Sequence, residues 1–169
     1  MSRTVAILGV GDTGGLWARD FLEAGWRVRF FDPDPVASGI EGLRTSCERA
    51  STISGCVAQA DWILIAVPDR LELVQKVIQR AQAEAPRSAI TAVVSRSHDV
   101  EAIQSCSLRP AQIVTVARQD DGGFDMNVTS RNPDNFRKEA VLALSGLSAV
   151  RTIGADYAHP VYRGDAARA

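Results

Sequence analysis

The amino-acid sequence predicts an α/β chain, a doubly wound and mostly parallel sheet with helices on both faces. Three observations predict it. Short apolar runs alternate with helical patterns, the arrangement that right-handed βαβ crossovers produce. Those runs are continuously apolar, as strands buried on both sides are. The length, 169 residues, is one domain at roughly 150 residues per domain.

Each element has its own signal. Thr4 to Leu8 is a β-branched apolar run stopped by Gly9, hence a buried strand. Thr13 to Ala24 carries Leu16, Trp17, Phe21 and Leu22 at helical spacing, and Gly25 is placed to cap it. Arg27 to Phe31 is a second strand, ended by Asp-Pro-Asp-Pro at 32 to 35. Val36 to Arg49 is expected to be a helix weakened by Gly39 and Gly42. Ala60 to Val67 is the strongest strand signal in the chain and ends at Pro68. Arg70 to Glu84 is an amphipathic helix, with Leu71, Val74, Val77, Ile78 and Ala81 on one face. Ala89 to Val94 and Gln112 to Ala117 read as further strands, with a short helix from Val100 to Cys106 between them. Met126 to Ser130 is expected to be a strand, Asn135 to Leu144 a helix started by Asn132-Pro133-Asp134, and Ala149 to Ile153 a last strand. From Gly154 to Ala169 an irregular tail is expected, which sets the domain at 1–153. Trp17, Trp26 and Trp62 fall at apolar positions and are expected in the core.

Composition excludes several functions. The apolar fraction is 46% and the charged fraction 23%, ordinary for a globular chain. Nineteen basic against twenty acidic residues leave a net charge of -1, with no electrostatic footprint for nucleic acid or anionic membrane. Cys47, Cys56 and Cys106 form no CxxC pair, so neither a disulfide framework nor a zinc site is expected, and reduced thiols suit a cytoplasmic protein. No apolar run approaches the roughly 20 residues that span a membrane. The N-terminus has no signal-peptide cleavage site.

Gly9-Val10-Gly11-Asp12-Thr13-Gly14 is a complete G-x-G-x-x-G between the first strand and the first helix. Gly9 permits the tight turn, Gly11 lets the backbone approach a pyrophosphate, and Gly14 allows close packing of helix on strand. The free N–H groups of the helix's first turn face the phosphates with the positive end of the dipole behind them. Asp32 ends the second strand, 18 residues past Gly14. Its carboxylate accepts hydrogen bonds from ribose hydroxyls and repels a 2′-phosphate, so the expected cofactor is NAD rather than NADP. A flavin or S-adenosylmethionine site shares part of this physics, as does a glycine turn with no ligand. Ala66, Val67, Pro68 and Asp69 follow the strongest strand and are expected along the same ligand, because ligands bind outside the carboxyl ends of parallel strands. Asp69 either touches the nicotinamide side or caps the next helix. His98 beside Asp99 is either a base with its orienter or a helix start with His98 in solvent. His159 reads as a surface residue, and Asp120-Asp121 before Gly-Gly as a solvated loop.

Residues 5 to 35 (VAILGVGDTGGLWARDFLEAGWRVRFFDPDP) and 60 to 81 (ADWILIAVPDRLELVQKVIQRA) resemble the N-terminal NAD-binding domain of the 3-hydroxyacyl-CoA dehydrogenases, including their carnitine dehydrogenase relatives. The likeness runs from about residue 4 to 153 and includes the turn Val67-Pro68-Asp69-Arg70-Leu71 and Arg109-Pro110-Ala111-Gln112-Ile113-Val114. It implies a Rossmann-like fold, NAD as cofactor, and cofactor roles for Gly9, Gly11, Gly14 and Asp32. Asp69 stands where the family usually has glutamate. The family's His-Pro-Phe-Asn motif is replaced by Ala117-Arg118-Gln119-Asp120, and counting without gaps puts Thr129 at the position of the glutamate that orients the histidine. The Ser-Asn/Ser-Thr-Ser segment is reduced to Val94-Ser95-Arg96-Ser97. The family's C-terminal helical domain has no counterpart in this sequence.

The resemblance therefore implies an NAD(H)-binding protein of this dehydrogenase type, with no catalytic residue assigned and no metal. A dehydrogenase completed by a partner chain is an alternative, and a non-catalytic module that senses NAD(H) or binds a partner, a pseudoenzyme, is another. A homodimer or a helical partner chain is expected to cover the face that the missing domain would occupy.

Overall fold

The computed structural model describes residues 2–154 and the strand Tyr157–Ala158. In chain order the elements are β1 (Thr4–Leu8), α1 (Asp12–Glu23), β2 (Arg27–Phe31), a 3₁₀ turn (Ser38–Leu43), β3 (Glu48–Arg49), α2 (Ile53–Val57), β4 (Trp62–Ile65) and α3 (Leu71–Glu84). There follow β5 (Ile90–Val94), α4 (Val100–Gln104), a second 3₁₀ turn (Pro110–Gln112), β6 (Ile113–Arg118), β7 (Phe124–Asn127), α5 (Asp134–Ser145), β8 (Val150–Gly154) and β9 (Tyr157–Ala158). Among the described residues one sheet contains nine strands, in the order β3-β2-β1-β4-β5-β6-β7-β8-β9. From β3 to β6 every neighbour is parallel, and β7 turns back antiparallel on β6. The fold is α/β, doubly wound and Rossmann-like. Strand order reverses between β1 and β4, and that switch point is where such sheets open a crevice.

Side-chain alternation explains the two layers of helices. Val5 and Ile7 face Trp17, Phe21 and α5, while Ala6 and Leu8 face α2 and α3. Trp17 stacks on Phe124 at 4.6 Å, tying α1 to β7. Trp17 and Trp62 are buried as expected; Trp26 is half-buried, with its ring edge-on to Phe21 at 5.1 Å. Gly25, at φ 82°, ends α1, and the Trp26 N–H donates back to the Phe21 carbonyl at 2.9 Å. No helix among the described residues is long and apolar enough to cross a membrane.

Three expectations need correction. Val36 to Arg49 is not an α-helix; it is a 3₁₀ turn followed by β3. Backbone contact decides this, since a Cβ on Gly39 would fall 1.8 Å from the Gly11 carbonyl oxygen. The chain is drawn onto the start of α1 and then pairs with β2, where Arg27 and Arg29 both reach Glu48 at 3.0 Å. The strand expected over Met126 to Ser130 begins earlier, at Phe124. Gly122 (φ 86°) and an Asp121 carboxylate that accepts the Gly123 N–H at 2.9 Å close a tight turn after β6. Helix α2 carries no element in the sequence reading, although Thr52 caps it through Oγ1 and the Gly55 N–H at 3.0 Å. Of the tail expected to be irregular, Gly154 ends β8 and Tyr157–Ala158 pairs as β9. The remainder, His159 included, lies outside the described residues.

Candidate functional site

A cleft of about 1050 Å³ opens along the carboxyl ends of β1, β4, β5 and β6. Gly9, at φ 91°, turns the chain out of β1 in a conformation that suits glycine. A Cβ on Gly14 would lie 1.9 Å from the Gly9 carbonyl oxygen, so α1 approaches the turn more closely than any side chain allows. Gly11 is different: its missing Cβ points into open space, with nothing within 4 Å. It is the N-cap of α1, and no side chain caps the helix. The first-turn N–H groups are thus left for a ligand, at the positive end of the helix dipole.

Asp32 lines the cleft beside this loop. Its Oδ2 accepts the Val10 N–H and its Oδ1 the Asp34 N–H, both at 2.8 Å. A carboxylate has about four acceptor positions, so both oxygens retain capacity for hydroxyl donors. Asp12 lies on the same side, and the cations that line the cleft stand at the far end, Arg96 after β5 and Arg118 as the last residue of β6.

At that far end charged side chains are held by one another. Ser95 Oγ–H donates to Asp69, at 3.0 Å from Oδ1 and 3.2 Å from Oδ2. His98 Nε2 lies 3.2 Å from the Asp69 carbonyl oxygen and 3.4 Å from Oδ1. Asp69 therefore does not cap α3, whose N-cap is Arg70, and His98 turns to Asp69 rather than to Asp99 or solvent. Arg118 is paired with Asp20 of α1, with its guanidinium 5.4 Å from the Trp17 ring centre and 5.2 Å from that of Phe124. Asp125 takes two bonds from Arg151, at 2.8 and 2.9 Å, and one from Gln119. Burial pushes the Asp125 carboxyl up, but Arg151, Gln119 and the charge of Arg96 outweigh it and hold the group below the usual carboxylate range. The cysteines stand apart from this chemistry: burial drives the Cys56 thiol up to about 12 and also raises that of Cys47.

Register corrects one sequence-based pairing. Ala117 lies opposite Asp125, and Thr115 opposite Asn127. By the same register Thr129 falls at the amino end of β6, away from Ala117. There its hydroxyl donates to Gln104 Oε1 at 2.8 Å and its N–H to Asn132 Oδ1 at 2.9 Å, in a buried polar network. Thr129 belongs to the core, and the side chain across from Ala117 is a carboxylate.

No family model matches the chain. The L-carnitine dehydrogenase/betainyl-CoA thioesterase of Ruegeria pomeroyi is 35% identical over 130 residues, covering 66% of this chain and 27% of that protein. The L-carnitine dehydrogenase of Nocardiopsis dassonvillei is 30% identical over 131 residues, covering 66% and 40%. This chain is homologous to the L-carnitine dehydrogenases. It spans well under half the length of these two relatives. Among solved structures, the (S)-3-hydroxybutyryl-CoA dehydrogenase of Ralstonia eutropha has the same fold, with a TM-score of 0.81 at 14% identity over 91% of this chain and 64% of that one. Homology to the L-carnitine dehydrogenases and a 3-hydroxyacyl-CoA dehydrogenase fold are what the glycine loop and the 60–81 stretch imply.

Of the residues singled out in the sequence, Gly9, Gly11, Asp12, Thr13, Asp32, Ala66, Val67, Pro68 and Asp69 line the cleft together. Val10 and Gly14 do not. The Val10 side chain is fully buried in the core, with its N–H on Asp32, and Gly14 is pressed against Gly9. Sequence reasoning missed Leu16 and Ile53 as cleft walls. Leu16 is 52% exposed, and its place two residues beyond the glycine loop was the available signal.

Proposed function

We propose that this chain is an NAD(H)-binding protein built on the N-terminal half of an L-carnitine and 3-hydroxyacyl-CoA dehydrogenase-type fold. The observation that carries the reading is Gly11, the one glycine of the motif whose missing side chain leaves open space, at the uncapped start of a helix beside an acid. In this reading the Gly9 to Gly14 loop and the first turn of α1 hold the pyrophosphate. Asp32 accepts the ribose hydroxyls, and Ala66 to Asp69 run along the nicotinamide half. Bound there, the dinucleotide supplies hydride transfer. The chain's own contribution is to bind and orient it. No proton acceptor stands at Ala117, whose methyl group cannot serve as a base, so turnover by the chain alone is not part of the reading. Free thiols at Cys47, Cys56 and the exposed Cys106 suit a reducing, cytoplasmic setting.

A second reading, a dehydrogenase completed by a partner chain or by a second copy, is favoured by Leu16. This large apolar side chain stands half-exposed on the cleft wall.

Calorimetric titration with NADH and NADPH tests the cofactor assignment. NADH is expected to bind at least tenfold more tightly, about 1.4 kcal/mol, and Asp32→Ala to shrink that gap. Equal affinities in the unmodified protein would reject the assignment.

A further inference from the structure

The edge of the sheet opposite the cleft carries a second charged feature, at the amino ends of β5 and β6. The turn Pro86 to Ala89, closed by the Ala89 N–H on the Pro86 carbonyl at 3.0 Å, presents Arg87 to solvent. Arg109 stands half-buried at the start of the 3₁₀ turn Pro110–Gln112. Gln112 joins the two: its Oε1 accepts the Arg109 Nε–H at 2.9 Å, and its amide N–H donates to the Arg87 carbonyl. Gln82, 1% exposed, holds the Arg109 backbone, accepting its N–H at 3.0 Å and donating to its carbonyl at 3.1 Å. Two glutamines, one of them buried, are thus committed to fixing one arginine. Yet neither Arg87 nor Arg109 is in an ion pair among the described residues, and Glu84 at the end of α3 bonds to neither. The acceptors that the Arg109 guanidinium reaches, Gln112 and the Ala85 carbonyl at 3.5 Å, are neutral. Ala85 ends α3, and a helix end supplies about half a negative charge against two full positive ones. Burial and the field of Arg87 both lower the Arg109 guanidinium from its ordinary value, the direction expected of like charges held together with no acid between them.

We infer that Arg87 and Arg109 form a binding site for a phosphate group, carried by inorganic phosphate or a small phosphomonoester. Two cations match a dianion, whereas a carboxylate neutralises only one of them. Arg109 keeps its Nη1 donors free and Arg87 its whole fork, and the three terminal oxygens of a phosphate take both forks together. The site lies the length of β5 and β6 away from the cleft, about 15 Å at ordinary strand rise. The inference is therefore independent of the NAD(H) reading.

The test is a calorimetric titration with inorganic phosphate slightly above neutral pH, where phosphate is mostly a dianion, with ionic strength matched by chloride. Saturable binding is expected, with sulfate competing and acetate at least tenfold weaker. Arg87→Gln, whose side chain holds no other part of the fold, should weaken phosphate binding at least tenfold. Arg109→Lys, which keeps the charge but loses the fork, should weaken it less. Unchanged phosphate affinity in Arg87→Gln overturns the site, as does acetate binding as tight as phosphate binding or the absence of saturable phosphate binding. Phosphate held at the glycine loop would respond to Gly11→Val instead. A loss in Gly11→Val with none in Arg87→Gln assigns the anion to that loop and overturns the inference, while the reverse pattern supports it.

Discussion

At the β1 end of the cleft backbone presses on backbone, whereas at the β6 end charged side chains hold one another. The Cβ that Gly14 lacks would fall 1.9 Å from the Gly9 oxygen, and the one Gly39 lacks 1.8 Å from the Gly11 oxygen. Across the cleft, Arg118 grips Asp20 and Arg151 grips Asp125, on stems with several rotatable bonds. The first arrangement leaves no room for a side chain at its contact points, so backbone contact sets where its N–H groups stand. The second can be re-paired by a change of one residue. A binding site for an unchanging ligand suits the first construction, and a site whose ligand differs between relatives suits the second.

The contrast can be broken most sharply at Gly39. Gly39→Ala puts a methyl group into a backbone carbonyl and should destabilise the protein by about 3 kcal/mol. Gly42→Ala, three residues along with nothing within 4 Å of the added carbon, should stay within about 0.5 kcal/mol. Urea denaturation midpoints measure both, and equal midpoints would mean that the 38–43 turn does not rest on the glycine loop. Gly11→Val comes next. Its side chain enters open space, so stability should change by about 1 kcal/mol or less. NADH affinity should fall at least a hundredfold, about 2.7 kcal/mol, because the proposed pyrophosphate loses its room. Normal binding would place the cofactor elsewhere. The smallest effect belongs to the other end. The folded Asp125 carboxyl titrates below its unfolded range near 4. It therefore adds stability above that range and loses it as pH falls through the folded value. Asp125→Asn should flatten this acid limb in thermal melts between about pH 5 and 2 and shift the neutral-pH melting temperature only slightly. An unchanged acid limb would show that the Arg151 pair contributes nothing.

Much of the β1 end was legible in the sequence, because its signals are local. A strand, a glycine motif and an amphipathic helix follow one another within 25 residues, and Asp32 closes the unit. The stretch from 36 to 57 was not legible. Gly39 and Gly42 looked like flaws in a helix, and only the approach of Gly15 and Gly11 reveals Gly39 as a contact point. The β6 end misled for a related reason. Counting along the sequence pairs Ala117 with Thr129, but the Asp121-Gly122 turn shortens the hairpin and brings Asp125 opposite Ala117. That dipeptide is a hairpin signal, and it was present in the sequence as a solvated loop. The contacts that join Asp69 to Ser95 and to His98 span 26 and 29 positions, and no local pattern announces them.

The stacking of Gly39 on Gly11 and of Gly15 on Gly39 also constrains how this chain can change over generations. A Cβ on Gly15 would fall 2.0 Å from the Gly39 oxygen, so Gly15 and Gly39 carry no slack that a single replacement could use. Enlarging either one is harmful unless the 38–43 segment first lifts away, and lifting it also disturbs the turn at Asp34, whose N–H is tied to Asp32. A side chain at either site thus calls for coordinated replacements rather than a single step. A mutational library should find second-site suppressors of Gly15 or Gly39 variants concentrated between Pro33 and Leu43.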